Sequence, residues 1–167
     1  MSRMMARWIR LGVMEPQDFE PLCARLAGVQ PKNAAPALLW AQAAKDYPFA
    51  LIAPRKFAPG RVSRWVSWAL APAIATYRQF GLAAYLEDDS IWLHGRRIAA
   101  ARMCAIGESA LVASSFLAPF PPHGIGMPSR ELEDAFRIRL EAQHGWQFDH
   151  SWPTAPERAF AQVPSFS

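Results

Sequence analysis

Between Trp8 and Val13 apolar and polar side chains alternate, the two-residue period of a half-buried strand. The pattern then changes. Glu15-Pro16-Gln17-Asp18 opens a helix, with Pro16 in the first turn, where its missing N–H costs nothing. Phe19, Leu22, Cys23 and Leu26 fall on one face of that helix, and Gly28 ends it. Ala37-Leu38-Leu39-Trp40-Ala41 fits either a buried strand or the start of a short helix running through Lys45; periodicity does not separate the two. Tyr47 to Ala53 is a short apolar strand closed by Pro54. Val62, Trp65, Val66, Ala69, Ile74, Tyr77 and Phe80 recur at helical spacings. They predict a long helix from Arg61 to Phe80, kinked or broken at Pro72 and ended by Gly81. Trp65 and Trp68 are read as core residues of that helix, not as a base-stacking pair.

From Gly81 to Phe116 the period shortens again. Four strands are predicted, Leu82 to Leu86, Ile91 to His94, Arg97 to Ile106 and Ala110 to Phe116. Links this short make consecutive strands antiparallel neighbours. Gly95 supplies positive φ at the second turn. Ala99, Ala100, Ala101, Ala113, Ser114 and Ser115 are small, so part of the sheet admits a close helix or ligand; Ala100 and Ser114 are the candidate ligand contacts. Pro119 to Pro128 is an irregular loop, in which His123 and Gly124 are read as plain loop residues. Ser129 caps a last helix, with Glu131 and Glu133 in its first turn. That helix turns Leu132, Ala135, Phe136 and Leu140 inward and Arg137, Arg139 and Glu141 outward, and Gly145 ends it. The result is one domain over residues 1–167, with 146–167 an extended tail wrapped on the surface. Its class is α+β, a mainly antiparallel sheet with helices packed mostly on one face.

Composition narrows the function classes only a little. The chain has 167 residues, 51% of them hydrophobic, which suits a single domain with a real core. A net charge of +4 permits an anionic ligand. It also leaves a minor reading as a nucleic-acid-binding domain through Arg55, Lys56, Arg61, Arg64 and Arg78. Cys23 and Cys104 are too far apart in sequence for a disulfide framework or a metal-ligand pair, and no metal is expected. Both are read as core residues, and a reducing cytoplasm is the expected setting. No apolar run nears the ~20 residues of a membrane span. No Walker loop, GxSxG, HExxH or paired CxxC occurs.

The densest polar chemistry lies in Asp88-Asp89-Ser90-Ile91-Trp92-Leu93-His94-Gly95-Arg96-Arg97-Ile98-Ala99-Ala100. On its own, a pair of arginines on a hairpin is as often solvent-facing as ligand-binding, and His94 in a turn is usually surface. The order of elements and this run resemble the biotin/lipoate protein ligase family, over roughly residues 47–117 and more weakly through the helix at 129–144. In that family a long helix leads to a strand, an acidic or Asn-Asp turn, a short strand, a Gly-Arg-Lys-type turn and two long strands.

The resemblance implies the catalytic-domain fold shared by class II aminoacyl-tRNA synthetases and biotin/lipoate ligases. It implies ATP with magnesium and lipoate, octanoate or biotin as ligands, and an acyl-carrier domain or a second protein subunit as partner. It implies roles as well. Arg97 stands where the family's turn lysine contacts the carbonyl and phosphate oxygens of the acyl-adenylate, and Arg96 would be a second contact. Asp89 would hold an amine or cation, and His94 would move a proton.

The departures from the family pattern sit on the same residues. Arginine replaces the lysine at Arg97, Ala100 replaces a glycine, and Asp89-Ser90 replaces Asn-Asp. The family's Gly/Arg-rich loop, which closes over the acyl chain and adenylate, should precede the Tyr47 strand, and residues 1–46 hold no such loop. The expectation is a ligase-like protein divergent in, or lacking, acyl-adenylate and acyl-transfer activity, which binds a carrier protein, a partner subunit or a small anion. The alternative is an active lipoyl, octanoyl or biotinyl transferase acting on a carrier lysine.

Overall fold

The computed structural model describes residues 3–31, 33–117, 129–152, 154 and 157. In chain order its elements are β1 (Met4–Val13), α1 (Pro16–Gly28), β2 (Ala37–Gln42), β3 (Asp46–Pro54), α2 (Trp65–Gln79), β4 (Tyr85–Glu87), β5 (Ser90–Leu93), β6 (Arg96–Ala100), β7 (Arg102–Ile106), β8 (Ser109–Leu117), α3 (Ser129–His144) and β9 (Trp146–Ser151). A six-stranded sheet runs β7-β8-β3-β2-β1-β9, and a three-stranded sheet runs β4-β5-β6. The β1–β2 and β1–β9 pairs are parallel and the other five are antiparallel. The protein is therefore α+β with a mainly antiparallel sheet system, as its pattern predicts.

The parallel pairs follow from the connections. Helix α1 returns the chain so that β2 lies beside β1 in the same direction, and α3 does the same for β9. The ambiguous run at Ala37 is a strand, because both its faces are covered: Leu38 and Trp40 face one core, Leu39 and Ala41 the other.

The two faces of the large sheet are filled differently. Helices α2 and α3 cover one face, where Trp8, Trp40, Phe49, Phe116 and Phe136 form a continuous aromatic core. Among the described residues helix α1 alone covers the other, with Phe19, Cys23 and Leu26 against Ile9, Leu39, Ala50 and Ile52. Trp65 is buried and Trp68 packs against the aromatic core, so both are core residues.

Four details depart from the sequence pattern. Helix α2 runs unbroken through Pro72 at its middle, because the packing of its buried face, Pro72 included, outweighs the lost backbone bond. The expected strand from Arg97 to Ile106 divides at Ala101, its first half in the small sheet and its second in the large one. Trp146–Ser151, expected as the start of a surface tail, is the edge strand β9, and Trp146 and Phe148 are buried in it. Cys104, expected in the core, is exposed because β7 is the other edge of the sheet. The expected loop at 119–128, with His123 and Gly124, lies outside the described residues, as do the Ser129 side chain and Phe160.

Candidate functional site

The polar run occupies two tight hairpins of the small sheet. Asp88 and Asp89 have φ of 49° and 54° and link β4 to β5; His94 and Gly95 have φ of 53° and 74° and link β5 to β6. Two successive positive-φ residues are what a two-residue hairpin needs to match strand twist, and aspartate tolerates that region better than most side chains. Trp92 Nε1 donates to the Glu87 carbonyl at 2.9 Å and the Ala101 N–H donates to the Asp89 carbonyl at 3.0 Å. The Asp89 backbone thus holds the point where the chain leaves the small sheet for the large one.

The candidate residues sit unevenly around this junction. Asp89, His94, Arg96, Arg97 and Ala100 are exposed. Arg96 and Arg97 have no ion-pair partner among the described residues, so the pairing with Asp88 or Asp89 that a surface reading suggests is not made. Ser114 is buried, and its hydroxyl donates to the Ala100 carbonyl at 3.0 Å. It stitches β8 to the crossing strand and keeps Ala100 beside it.

An acyl-sized groove lies elsewhere, on the α1 face. It measures about 550 Å³ and is lined by Glu20, Pro21, Ala24, Arg102, Met103, Cys104, Leu111 and Ala113. Helix α1 supplies one wall, and β7 and β8 supply the other. Arg102 Nε lies 3.5 Å from Glu20 Oε2 across this space, an exposed pair of little energetic weight. None of the candidate residues lines the groove. The Cys104 thiol is pushed above its ordinary value by partial burial and by the Glu20 charge. Cys23 is pushed well up by burial, then by Glu20. Neither is poised as a thiolate nucleophile.

The β2–β3 connection bears on the same question. Only Ala43, Ala44 and Lys45 separate the strands, and the Ala43 N–H donates to the Asp46 carbonyl at 2.9 Å. A hairpin this tight has no room for an inserted loop.

Two buried carboxylates escaped the reading of the pattern. Glu133 accepts from Trp8 Nε1 at 2.5 Å and from Arg10 Nε at 2.7 Å. Its spacing to Phe136 and Leu140, i+3 and i+7, is the signal that could have found it. Glu157 accepts two bonds from Arg7, at 2.8 and 3.1 Å, and one from Gln30. Its own N–H reaches Thr154 Oγ1 at 3.4 Å while the Thr154 N–H reaches Glu157 Oε1 at 2.8 Å. Thr154-Ala155-Pro156-Glu157 is a capping-box sequence, visible without coordinates. Burial alone would raise the Glu157 pKa; the Arg7, Thr154 and Gln30 hydrogen bonds and the Arg7 charge outweigh it and hold the group at about 2. His144 packs against the rings of Trp68 and Trp146, with centroids 5.0 and 4.7 Å away, and burial lowers it to about 4.

No family model matches the sequence, and no curated protein matches it in sequence. The fold does have close counterparts among solved structures. Lipoate-protein ligase A bound with ATP superposes with a TM-score of 0.79 at 11% identity, over 95% of this chain and 93% of that one. A bi-partite lipoate protein ligase from Thermoplasma acidophilum, studied with its E2 lipoyl domain, gives 0.75 at 11% identity, over 95% and 91%. The biotin acetyl coenzyme A carboxylase synthetase of Helicobacter pylori with bound biotinylated ATP gives 0.57 at 11% identity, over 84% and 75%. This chain has the lipoate/biotin protein ligase fold. The resemblance read from residues 47–117 extends, in three dimensions, over nearly the whole protein. Identities this low carry the fold and leave the chemistry to be argued from the residues present.

The Arg97 side chain stands in solvent and does not line the α1-side groove.

Proposed function

We propose that this chain is a ligase-fold binding protein, without acyl-adenylate or acyl-transfer activity, that holds an acyl-carrier domain or a partner subunit. The β2–β3 hairpin carries the reading. In the family it resembles, a Gly/Arg-rich loop before the second of these strands closes over the acyl chain and adenylate, and here three residues span the gap. The exposed Arg97 and the methyl of Ala100 add support, since each alters a family contact to the adenylate. The E2 lipoyl domain studied with the bi-partite ligase supports a carrier as the kind of partner. A cytoplasmic setting agrees with two unpaired cysteines, one of them exposed.

A second reading retains acyl transfer, and the α1-side groove favours it, because about 550 Å³ of mainly apolar space suits an acyl chain. A nucleic-acid surface has less support. Arg55, Lys56, Arg61 and Arg64 precede α2 while Arg78 stands at its far end, roughly 20 Å away along the helix. Arg55 also lies over the Trp65 ring, 5.7 Å from its centroid.

One experiment separates the first two readings. The purified chain is incubated with ATP, magnesium and lipoate, octanoate or biotin. Pyrophosphate release is followed, with mass spectrometry of an added apo-lipoyl or biotin-carrier domain. We expect neither product, and a stable complex with a carrier domain or a co-purified subunit by size-exclusion chromatography. Adenylate or a modified carrier lysine establishes the second reading. A chain that remains alone with every carrier overturns the first.

A further inference from the structure

A second cavity, of about 640 Å³, opens on the outer side of the helical layer. Helix α2 lines it with Ser67, Ala71, Ile74, Ala75, Arg78 and Gln79; α3 adds Arg139 and Gln143, and β4 adds Leu86. Of its residues only Arg78 carries a function read from the sequence, in the minor nucleic-acid reading, and nothing in the ligase resemblance assigns the cavity a role. It lies across the sheet from the α1-side groove.

Its polar groups are arranged as donors. Arg78 Nε donates to the Ala84 carbonyl at 3.1 Å, and Arg139 Nε donates to Gln79 Oε1 at 3.1 Å. Each guanidinium is therefore anchored by its inner nitrogen. The outer nitrogens of both make no hydrogen bond or ion pair among the described residues. An anchored guanidinium with a free outer edge is pre-organised for an oxyanion, because less side-chain freedom is lost on binding. The Gln79 amide is oriented too: its oxygen is occupied by Arg139, which leaves its NH₂ as a donor.

Among the described residues that line the cavity, nothing offsets this charge. No lining residue is acidic, and α2 contains no Asp or Glu. On α3, Glu133 is bound to Trp8 and Arg10, while Asp134 and Glu141 pair with Arg137. Glu87 follows Leu86 on β4, so its side chain points to the opposite side of that strand. Beneath the donors, Ala71, Ile74, Ala75 and Leu86 form an apolar floor.

We propose that the α2–α3 cavity binds a small organic oxyanion, a phosphate or carboxylate carried on an apolar group. The anion bridges Arg78 and Arg139, and the apolar group lies on Ile74 and Leu86. The proposal is independent of whether the ligase chemistry survives.

The test is a titration of the ¹⁵N-labelled full chain with phenyl phosphate, inorganic phosphate and, at matched ionic strength, sodium chloride. Phenyl phosphate is expected to give saturable amide shifts at Ser67, Gln79 and Gln143, with affinity above that of inorganic phosphate. Arg139→Gln is expected to weaken binding about tenfold, the loss of one charge-assisted contact. Ala71→Asp, on an exposed helical position, is expected to abolish it while the rest of the spectrum keeps its native dispersion. Shifts reproduced by sodium chloride overturn the site. Unchanged binding in both variants overturns it as well. Inorganic phosphate binding as tightly as phenyl phosphate overturns the role of the apolar floor.

Discussion

The two faces of the large sheet are made from the same strands and behave as different materials. On the α2/α3 face, Phe136 meets Trp8, Trp40, Phe49 and Phe116 at ring-centroid distances of 4.8 to 6.1 Å. On the α1 face, one helix and small side chains leave an open groove beside Met103, Cys104, Leu111 and Ala113. Large rings fill space from both sides, and Ala113 of β8 against Ala24 of α1 does not. The filled face carries the aromatic core, and the incompletely covered one keeps an open groove at the sheet surface.

Mutations can break this comparison. Phe136→Ala removes the ring that joins the aromatic core, and it should cost about 3–5 kcal/mol in urea unfolding. Met103→Ala on the groove face should cost under about 1 kcal/mol, because Met103 is already 36% exposed. Equal costs would remove the distinction between the faces.

Next in size is Glu133→Ala, which leaves the buried Trp8 indole N–H without its acceptor and Arg10 without its carboxylate. A loss of about 2–3 kcal/mol is expected, with Glu133→Gln milder because its amide oxygen still accepts. A neutral Glu133→Ala would mean that the aromatic core does not depend on its polar edge.

Acid should loosen the structure in two steps. His144 is lowered to about 4 from 6.5, so between those values the unfolded chain binds more protons than the folded one. Its contribution is complete above pH 6.5 and is lost as pH falls toward about 4. Glu157 is lowered to about 2 from 4.5, and its contribution is lost as pH falls from 4.5 toward about 2. Melting temperatures across pH 2–7 should fall in both windows, and His144→Gln should flatten only the upper one. A pH-independent melt would place both groups in solvent.

The smallest effect sharpens the functional side. Arg97→Ala should change stability by no more than about 0.5 kcal/mol, since the side chain is exposed and makes no ion pair among the described residues. A large loss of stability would show that this arginine is a structural tie.

Much of the fold was legible in the pattern. Helix α1 begins at Pro16 and ends at Gly28 where proline and glycine place its ends, and β3 follows the apolar run bounded by Pro54. The two hairpin turns were legible as well, because Asp88-Asp89 and His94-Gly95 are residues that accept positive φ. The ligase resemblance rested on these local features, and the superposition agrees with it. The candidate site was legible only as a cluster in sequence. Of its residues, Ser114 and Ala100 meet through a hydrogen bond, while Asp89, His94, Arg96 and Arg97 stand exposed on the hairpins, none of them lining the α1-side groove.

By itself the sequence determined most of the helices and strands and their turns, though not the choice at Ala37, because period, proline, glycine and side-chain shape act over a few residues. Only the tertiary structure decided that the strand after Arg96 would divide between two sheets at Ala101, that Trp146–Ser151 would close the sheet edge, and that Cys104 would face solvent. It also decided where the cavities lie. These outcomes depend on which distant surfaces cover one another, and the spacing of residues along the chain carries no record of that.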